Sequence, residues 1–367
     1  MAGSTIGTNF KITTWGESHG TGIGVVIDGC PAGLSLCEED IQTYLNRRKP
    51  GQSAFSTPRK EDDAVHILSG VFEGRTTGTP ISLIVVNENQ HSKDYREIAS
   101  YYRPGHADFT FDAKYGFRDY RGGGRSSGRE TIGRVAAGAV AAKILKELGI
   151  EILTYSKNIG PITIDETRFD AAEITKNPLY MPDADAAAKA ASYLEECKAM
   201  QNSAGGIIEC VITGVPAGIG DPVFEKIDAN LAKAIFSIGA VKGFEIGDGF
   251  AVAAATGLTN NDAFVTDENG SVTKETNHAG GILGGMSDGS PIVFRAAIKP
   301  TPSVASTQKT INKNGEEIEI NIKGRHDPII VPRAVVVVES MAAITIFDAM
   351  LSNMSARMDG IKDFYKK

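Results

Sequence analysis

Much that would point elsewhere is missing from this 367-residue chain. Basic residues are not in excess: 38 Lys and Arg against 45 Asp and Glu leave a net charge of −7 at pH 7. That balance argues against a general nucleic-acid binder, which is normally basic overall. Four cysteines (Cys30, Cys37, Cys197 and Cys210) include no C-x-x-C pair, so thiols in a reducing cytoplasm fit better than disulfides or zinc. No run approaches the ~18 apolar residues of a membrane span. The opening MAGSTIGTNFKITTW lacks the charged-then-apolar layout of a secretory signal. H-E-x-x-H, G-x-S-x-G and G-x-x-x-x-G-K-[ST] are absent, and no metal site is expected. What remains is ordinary globular composition, 41% hydrophobic and 23% charged, in a chain long enough for an extensive core.

Against this background one stretch stands out. Residues 103–131, RPGHADFTFDAKYGFRDYRGGGRSSGRET, gather Arg103, His106, Arg118, Arg121, Arg125 and Arg129 around Gly122 to Gly124. An apolar helical segment, Ile132 to Leu148, follows, and Ser127 with Glu130 has the spacing of a capping box. Free N–H groups at a helix start, joined by guanidinium groups that can pair two oxygens at once, suit a phosphate or carboxylate. R-G-G-G-R also occurs in disordered RNA-binding tails. Here it lies mid-chain, before sequence too apolar to stay in water, which favours an ordered anion site.

Taken in order, Lys11 to Trp15 and Gly24 to Asp28 read as strands around a G-E-S-H-G turn that carries His19 between glycines. Glu38 to Arg48 reads as a helix whose final Arg47, Arg48 and Lys49 would suit its negative end even without a ligand. His66 to Phe72 and Pro80 to Asn87 suggest a hairpin, Glu151 to Ile159 a strand, 160–182 a surface excursion, Asp183 to Met200 a helix, and Gly205 to Val215 a strand.

The chain also repeats itself. GVVIDGCPAG (24–33) aligns with ECVITGVPAG (209–218), and Gly70, Gly74 and Gly78 align with Gly281, Gly285 and Gly289. Each copy then runs through a strand and an Arg/His motif into an apolar helix. The reading is one α+β domain over 1–367, built from duplicated halves of about 1–160 and 205–367 that share one core.

RPGHAD (103–108) and YRGGGRSSGRET (120–131), with GESHG (16–20), RRKPGQS (47–53), NHAGGILGG (277–285), KPTPS (299–303) and GRHDP (324–328), resemble the chorismate synthase family, in the family's order and nearly end to end. The resemblance implies a β-α-β sandwich with helices between antiparallel sheets, assembled as a homotetramer. It implies a carbon–oxygen lyase of the shikimate pathway for aromatic amino acid biosynthesis, converting 5-enolpyruvylshikimate 3-phosphate to chorismate and phosphate by 1,4-anti elimination with reduced FMN.

Residue by residue, the resemblance makes His19 the acid for the departing phosphate. His106 becomes the partner of the flavin ring, and Asp327 the carboxylate that assists proton removal. Arg48, Arg129 and Arg325 would grip substrate or flavin. Arg125, Ser126, Ser127, Gly239, Ala240, Gly284, Lys299, Pro300, Thr301, Pro302, Ser303 and Arg325 match FMN-binding positions. Three departures stand out: Ala54 where many relatives have arginine (that contact being absent, or replaced by Arg59), Gly239 where Asn is common, and Asn202 where an acid is common. With no G-x-G-x-x-G after a strand, the flavin is expected to be reduced from outside rather than by NADPH on this chain. The expected partner is a small phosphorylated, carboxylated substrate, not nucleic acid or membrane. The other class of reading is a non-catalytic flavin- or RNA-binding protein using residues 103–131.

Overall fold

The computed structural model describes residues 3–51, 55, 62–87, 97–321 and 327–366. Arg325, Ala54 and Arg59 lie outside them. The first sheet is built on β1 (Lys11–Gly16), β2 (Gly22–Asp28), β3 (Val65–Ser69) and β4 (Ile81–Val86), in the order β1-β2-β4-β3, with Thr5–Ile6 added at the edge beside β1. The second is built on β5 (Glu151–Ile159), β6 (Gly206–Thr213), β7 (Val241–Ile246) and β8 (Ile292–Ile298), in the order β5-β6-β8-β7, with Ile162–Thr163 beside β5. All of these pairings are antiparallel. Numbered within its own sheet, each set runs first, second, fourth, third.

Between the sheets lie helices. α1 (Glu38–Arg48) and α3 (Thr131–Glu147) back the first sheet, and α5 (Ile227–Phe236) and α6 (Val331–Asn353) back the second; α3 and α6 meet in the middle. α2 (Asp108–Tyr115) and α4 (Ala184–Ala199) lie outside this stack of layers. The expected α+β fold with helices between antiparallel sheets is therefore what the chain adopts. One cluster of buried side chains runs through both sheets and all four inner helices.

Periodicity explains the layers. β8 alternates buried and half-buried positions along its length, as a strand with one face on a core does. α3 is buried on nearly every side, because its Ala and Gly positions let it lie between a sheet and another helix. At Gly138 the approach is so close that a Cβ would stand 2.2 Å from that of Ser340. α6 starts with Pro332 in its first turn, where a missing N–H is harmless. It is long and apolar enough to cross a membrane, although Arg333, Glu339 and Asp348 break its apolar runs in the sequence. In the fold 72% of its most apolar window is buried, as befits a core helix. Near its end Asp348 accepts from the backbone N–H groups of Thr8, Asn9 and Phe10, tying α6 to the segment before β1.

The aligned glycines share conformation as well as spacing. Gly70 and Gly281 have φ of 83° and 81°, Gly74 and Gly285 73° and 90°, Gly78 and Gly289 79° and 91°. Each glycine turn carries the same hydroxyl device. Thr76 donates to Pro31 O and accepts from Leu34 N, just as Ser287 donates to Pro216 O and accepts from Ile219 N.

Two readings of the sequence change. β5 pairs with β6, so the segment 160–205 is inserted between two strands of the second sheet rather than dividing the halves. Nor is 160–182 a plain surface excursion, because Ile164, Ile174, Leu179 and Met181 are buried anchors.

Candidate functional site

α1 shows how the site begins. Ile41, Leu45 and Arg48 fall at i, i+4 and i+7, one face of a helix, and all three are buried. Arg48, only 1% exposed, is thus carried inward and not left at the helix end as a solvated cation. Burial pushes its pKa down to about 10 despite Asp63, with Arg333 and Arg129 adding to the effect. Its Nη2 donates to Asp63 Oδ2 at 2.5 Å, while Arg129 Nη1 donates to Asp63 Oδ1 at 2.9 Å. One fully buried carboxylate therefore holds two guanidinium groups, from a backbone position at φ 47° that Asp tolerates better than most residues.

The cluster extends in both directions. Arg129 Nε donates to Asn87 Oδ1 at 2.7 Å, and Asn87 Nδ2 donates to the carbonyls of Glu17 and Gly20, at 2.9 and 2.8 Å. That ties Arg129 to the turn bearing His19. The His19 ring lies against Gly122, where a Cβ would be 2.3 Å from Nδ1, so the glycine run is needed for close approach. On the other side Arg333 Nε donates to Arg48 O at 3.0 Å and Nη1 to Asp327 Oδ2 at 2.7 Å. Among the described residues, Arg48, Arg129 and Arg333 share the carboxylates of Asp63 and Asp327. Arg48 Nε is buried without a hydrogen-bond partner among the described residues.

A second group lies around His106. Its Nδ1 is 3.0 Å from Pro104 O and its Nε2 2.9 Å from Ser303 Oγ. Burial first, then the charge of Arg103, holds its pKa below the ordinary histidine value. The neutral ring must donate from Nδ1, since a carbonyl only accepts, which leaves Nε2 to accept from the serine hydroxyl. Lys299 Nζ donates to Gly105 O, and Pro302 lies under Gly105, so 299–303 is folded onto the R-P-G-H-A-D loop. Ala240 O receives Lys299 N, which brings Gly239 and Ala240 to the same end of β8. Ser203 Oγ donates to Thr301 O, and the adjacent Ala204 N donates to Pro328 O, beside Asp327. A chain of contacts therefore runs from the His19 turn through Arg129, Arg48 and Asp327 to Thr301, Ser303 and His106.

Not every expected residue joins it. Arg103 and Arg118 are paired with Asp108, whose carboxyl burial would raise; the Arg103 hydrogen bonds and both arginine charges instead bring it to about 2. Arg121 is held by Asp119, two residues away. The buried arginine cluster thus draws on three separate segments rather than on 103–131 alone. Arg125 donates to Gly16 O and Thr14, fastening its turn to β1, and Ser126 donates to Gly123 O. Ser127 accepts from Arg129 N, but Glu130 turns away to Thr14 and Arg134, so only half of the capping box forms. Asn202 accepts from the neighbouring Ser203 N. Gly284 precedes Gly285, which sits by Lys226 at the start of α5, whereas Lys299 meets Ala240 beyond the end of that helix. Within one chain it lies apart from the other site residues. Asp63, Asn87 and Arg333 were not singled out from sequence; as isolated polar residues at element ends they carry no motif.

A buried arginine cluster and the His106 loop are joined through loops at the ends of two sheets packed on inner helices, in an α+β fold. A profile of the chorismate synthase family matches residues 10–351. The chorismate synthases of Agathobacter rectalis and Lachnoclostridium phytofermentans are 76% and 69% identical over 367 residues, all of this chain and all of theirs. A crystal structure of a chorismate synthase superposes with a TM-score of 0.76 at 32% identity, covering 98% of this chain and 96% of that one. The chain belongs to the chorismate synthase family.

Proposed function

We propose that this chain converts 5-enolpyruvylshikimate 3-phosphate to chorismate and phosphate by 1,4-anti elimination, as an FMN-dependent carbon–oxygen lyase. The observation that carries the reading is the pairing of Arg48 and Arg129 on buried Asp63, tied through Asn87 to the His19 turn and through Arg333 to Asp327. That arrangement sets cations for a phosphate or carboxylate between a proton donor and a proton acceptor. The lining also fits an anionic cofactor: Thr301 Oγ1 is buried without a partner among the described residues, beside Lys299 and the neutral His106.

Arg48 and Arg129, with Arg325, pair the substrate's anionic oxygens and neutralise charge as it develops on the leaving phosphate. His19 donates a proton to that phosphate. Asp327 accepts a proton at a carboxylate oxygen, oriented by Arg333. His106 and 299–303 would hold FMN, with Arg125, Ser126, Ser127, Gly239, Ala240 and Arg325 as further contacts; Gly284 belongs with them on family resemblance alone. Reduced FMN, held there, would supply electron density for breaking the allylic C–O bond and a place for the ring hydrogen, without net redox turnover. An RNA-binding reading is weakened because Arg103, Arg118 and Arg121 are each paired with an aspartate.

The working form is a cytoplasmic homotetramer, each copy one domain of two duplicated halves sharing a core. Its flavin is reduced from outside; aerobic turnover driven by NADPH and FMN alone would overturn that part. The main test is anaerobic incubation of the substrate with dithionite-reduced FMN, following chorismate and phosphate. Product should form with reduced and not with oxidised FMN, and flavin should not be consumed. Turnover with no flavin at all would refute the mechanism.

A further inference from the structure

Asn87 stands at the end of β4 and uses every polar atom of its side chain between two parts of the site. Its Nδ2 donates to Glu17 O and Gly20 O, spanning the turn that presents His19, and its Oδ1 accepts from Arg129 Nε. Its backbone N–H donates to Thr21 O, just past the same turn. The amide orientation is forced, because two carbonyls can only accept and a guanidinium can only donate. Arg129 in turn shares Asp63 with Arg48.

We infer that Asn87 is a positioning residue that sets the distance between the proton donor and the arginine pair. This rests on the proposed roles of His19 and Arg129. A turn between two short strands has few restraints of its own, and displacing a catalytic group by about 1 Å can lower turnover about 10²-fold. A side chain that holds donor and arginine at once makes the leaving phosphate meet both together. Asn87 touches no reacting atom in this scheme.

Two variants separate its two ends. Asn87→Asp keeps an acceptor for Arg129 but turns a carboxylate toward the two carbonyls, so it releases the His19 turn. Asn87→Ala releases both. In Asn87→Asp, kcat should fall about 10- to 100-fold while KM changes by less than about threefold. In Asn87→Ala, KM should rise as well, and His19→Ala should lower kcat less in that background than in the parent, because the histidine is already displaced. A cooperative melting transition checks that each variant is folded, while the emission of Trp15, the chain's single tryptophan, which lies on Gly24 beside the turn, reports on the turn itself. The Trp15 signal needs no flavin: it should change in both variants relative to the parent. If either folded variant keeps parental kcat while His19→Ala is impaired, or if the His19→Ala and Asn87→Ala effects simply multiply, the inference fails and the reading beneath it stands. If His19→Ala itself keeps parental kcat, the assignment of His19 falls, and the inference with it.

Discussion

Arg333 donates to Asp327 at 2.7 Å from the first turn of the long core helix α6, while its Nε holds the carbonyl of Arg48 at 3.0 Å. The proposed proton acceptor is therefore held from the core by Arg333. Asp327→Asn is nearly isosteric and removes the accepting charge, so kcat should drop with substrate affinity almost unchanged. Steady-state kinetics under anaerobic conditions measure both; a parental kcat would remove Asp327 from the mechanism.

His19 is expected to behave differently from a structural histidine. His19→Ala should lower turnover about 10²- to 10⁴-fold, the range for a positioned general acid, with FMN binding nearly intact. A flavin titration and a melting curve on the same preparation distinguish this from a folding defect, which would lower the melting temperature and leave activity in the folded fraction normal.

Asp63 holds two arginines in a site closed to solvent. Asp63→Asn removes the buried carboxylate that both guanidinium groups share, and breaking a buried pair in this way costs about 3–5 kcal/mol. The melting temperature should fall. Inorganic phosphate should raise it more in the variant than in the parent, since a ligand that binds only the native state stabilises it. Equal shifts in the two proteins would mean that the arginines are not an anion site.

The pH dependence of stability should carry the mark of His106. Its native pKa is held below the ordinary 6.5 by burial and by Arg103. The unfolded chain accepts a proton that the native state resists, so this contribution is fully present above the unfolded value and is lost as pH falls toward the native one. Melting temperature should therefore decline between about pH 7 and about pH 5 more steeply in the parent than in His106→Gln. Parallel curves would show that the ring is not held neutral.

Gly138→Ala tests the central layer. The added methyl group would meet Ser340 Cβ at 2.2 Å and its Cα at 2.5 Å, so α3 and α6 must separate. A destabilisation of about 1–3 kcal/mol, typical of overpacking, is expected in chemical denaturation. Pairing it with Ser340→Gly should recover part of the loss.

The sequence made much of this legible where a local pattern fixes the outcome. α1 was read with its observed ends because acids open it and arginines close it. The glycine alignment could be read because left-handed turns tolerate few other residues. The histidine and aspartate positions followed from motif resemblance, and Arg325 falls outside the described residues. Pairing was much less visible. Composition shows that Arg103, Arg118 and Arg121 are basic, but only the fold shows that Asp108 and Asp119 neutralise them. Asp63 and Asn87 matter because of partners tens of residues away, and no local spacing announces such partners. The same reason hid the fate of β5, whose composition suits either sheet.

The clasp between Asp348 and Phe10 joins positions 338 residues apart, and α6 supplies the surface on which α3, α5 and the second sheet close. At about 5–20 residues per second, a ribosome needs on the order of tens of seconds to pass from one side of that clasp to the other. From their own synthesis until α6 emerges, the faces of α3 and β6 that α6 covers have no partner there. The emerging chain must therefore be sheltered rather than folded piece by piece, and its cellular yield should depend on chaperone capacity more than on the strength of any one contact in the finished protein.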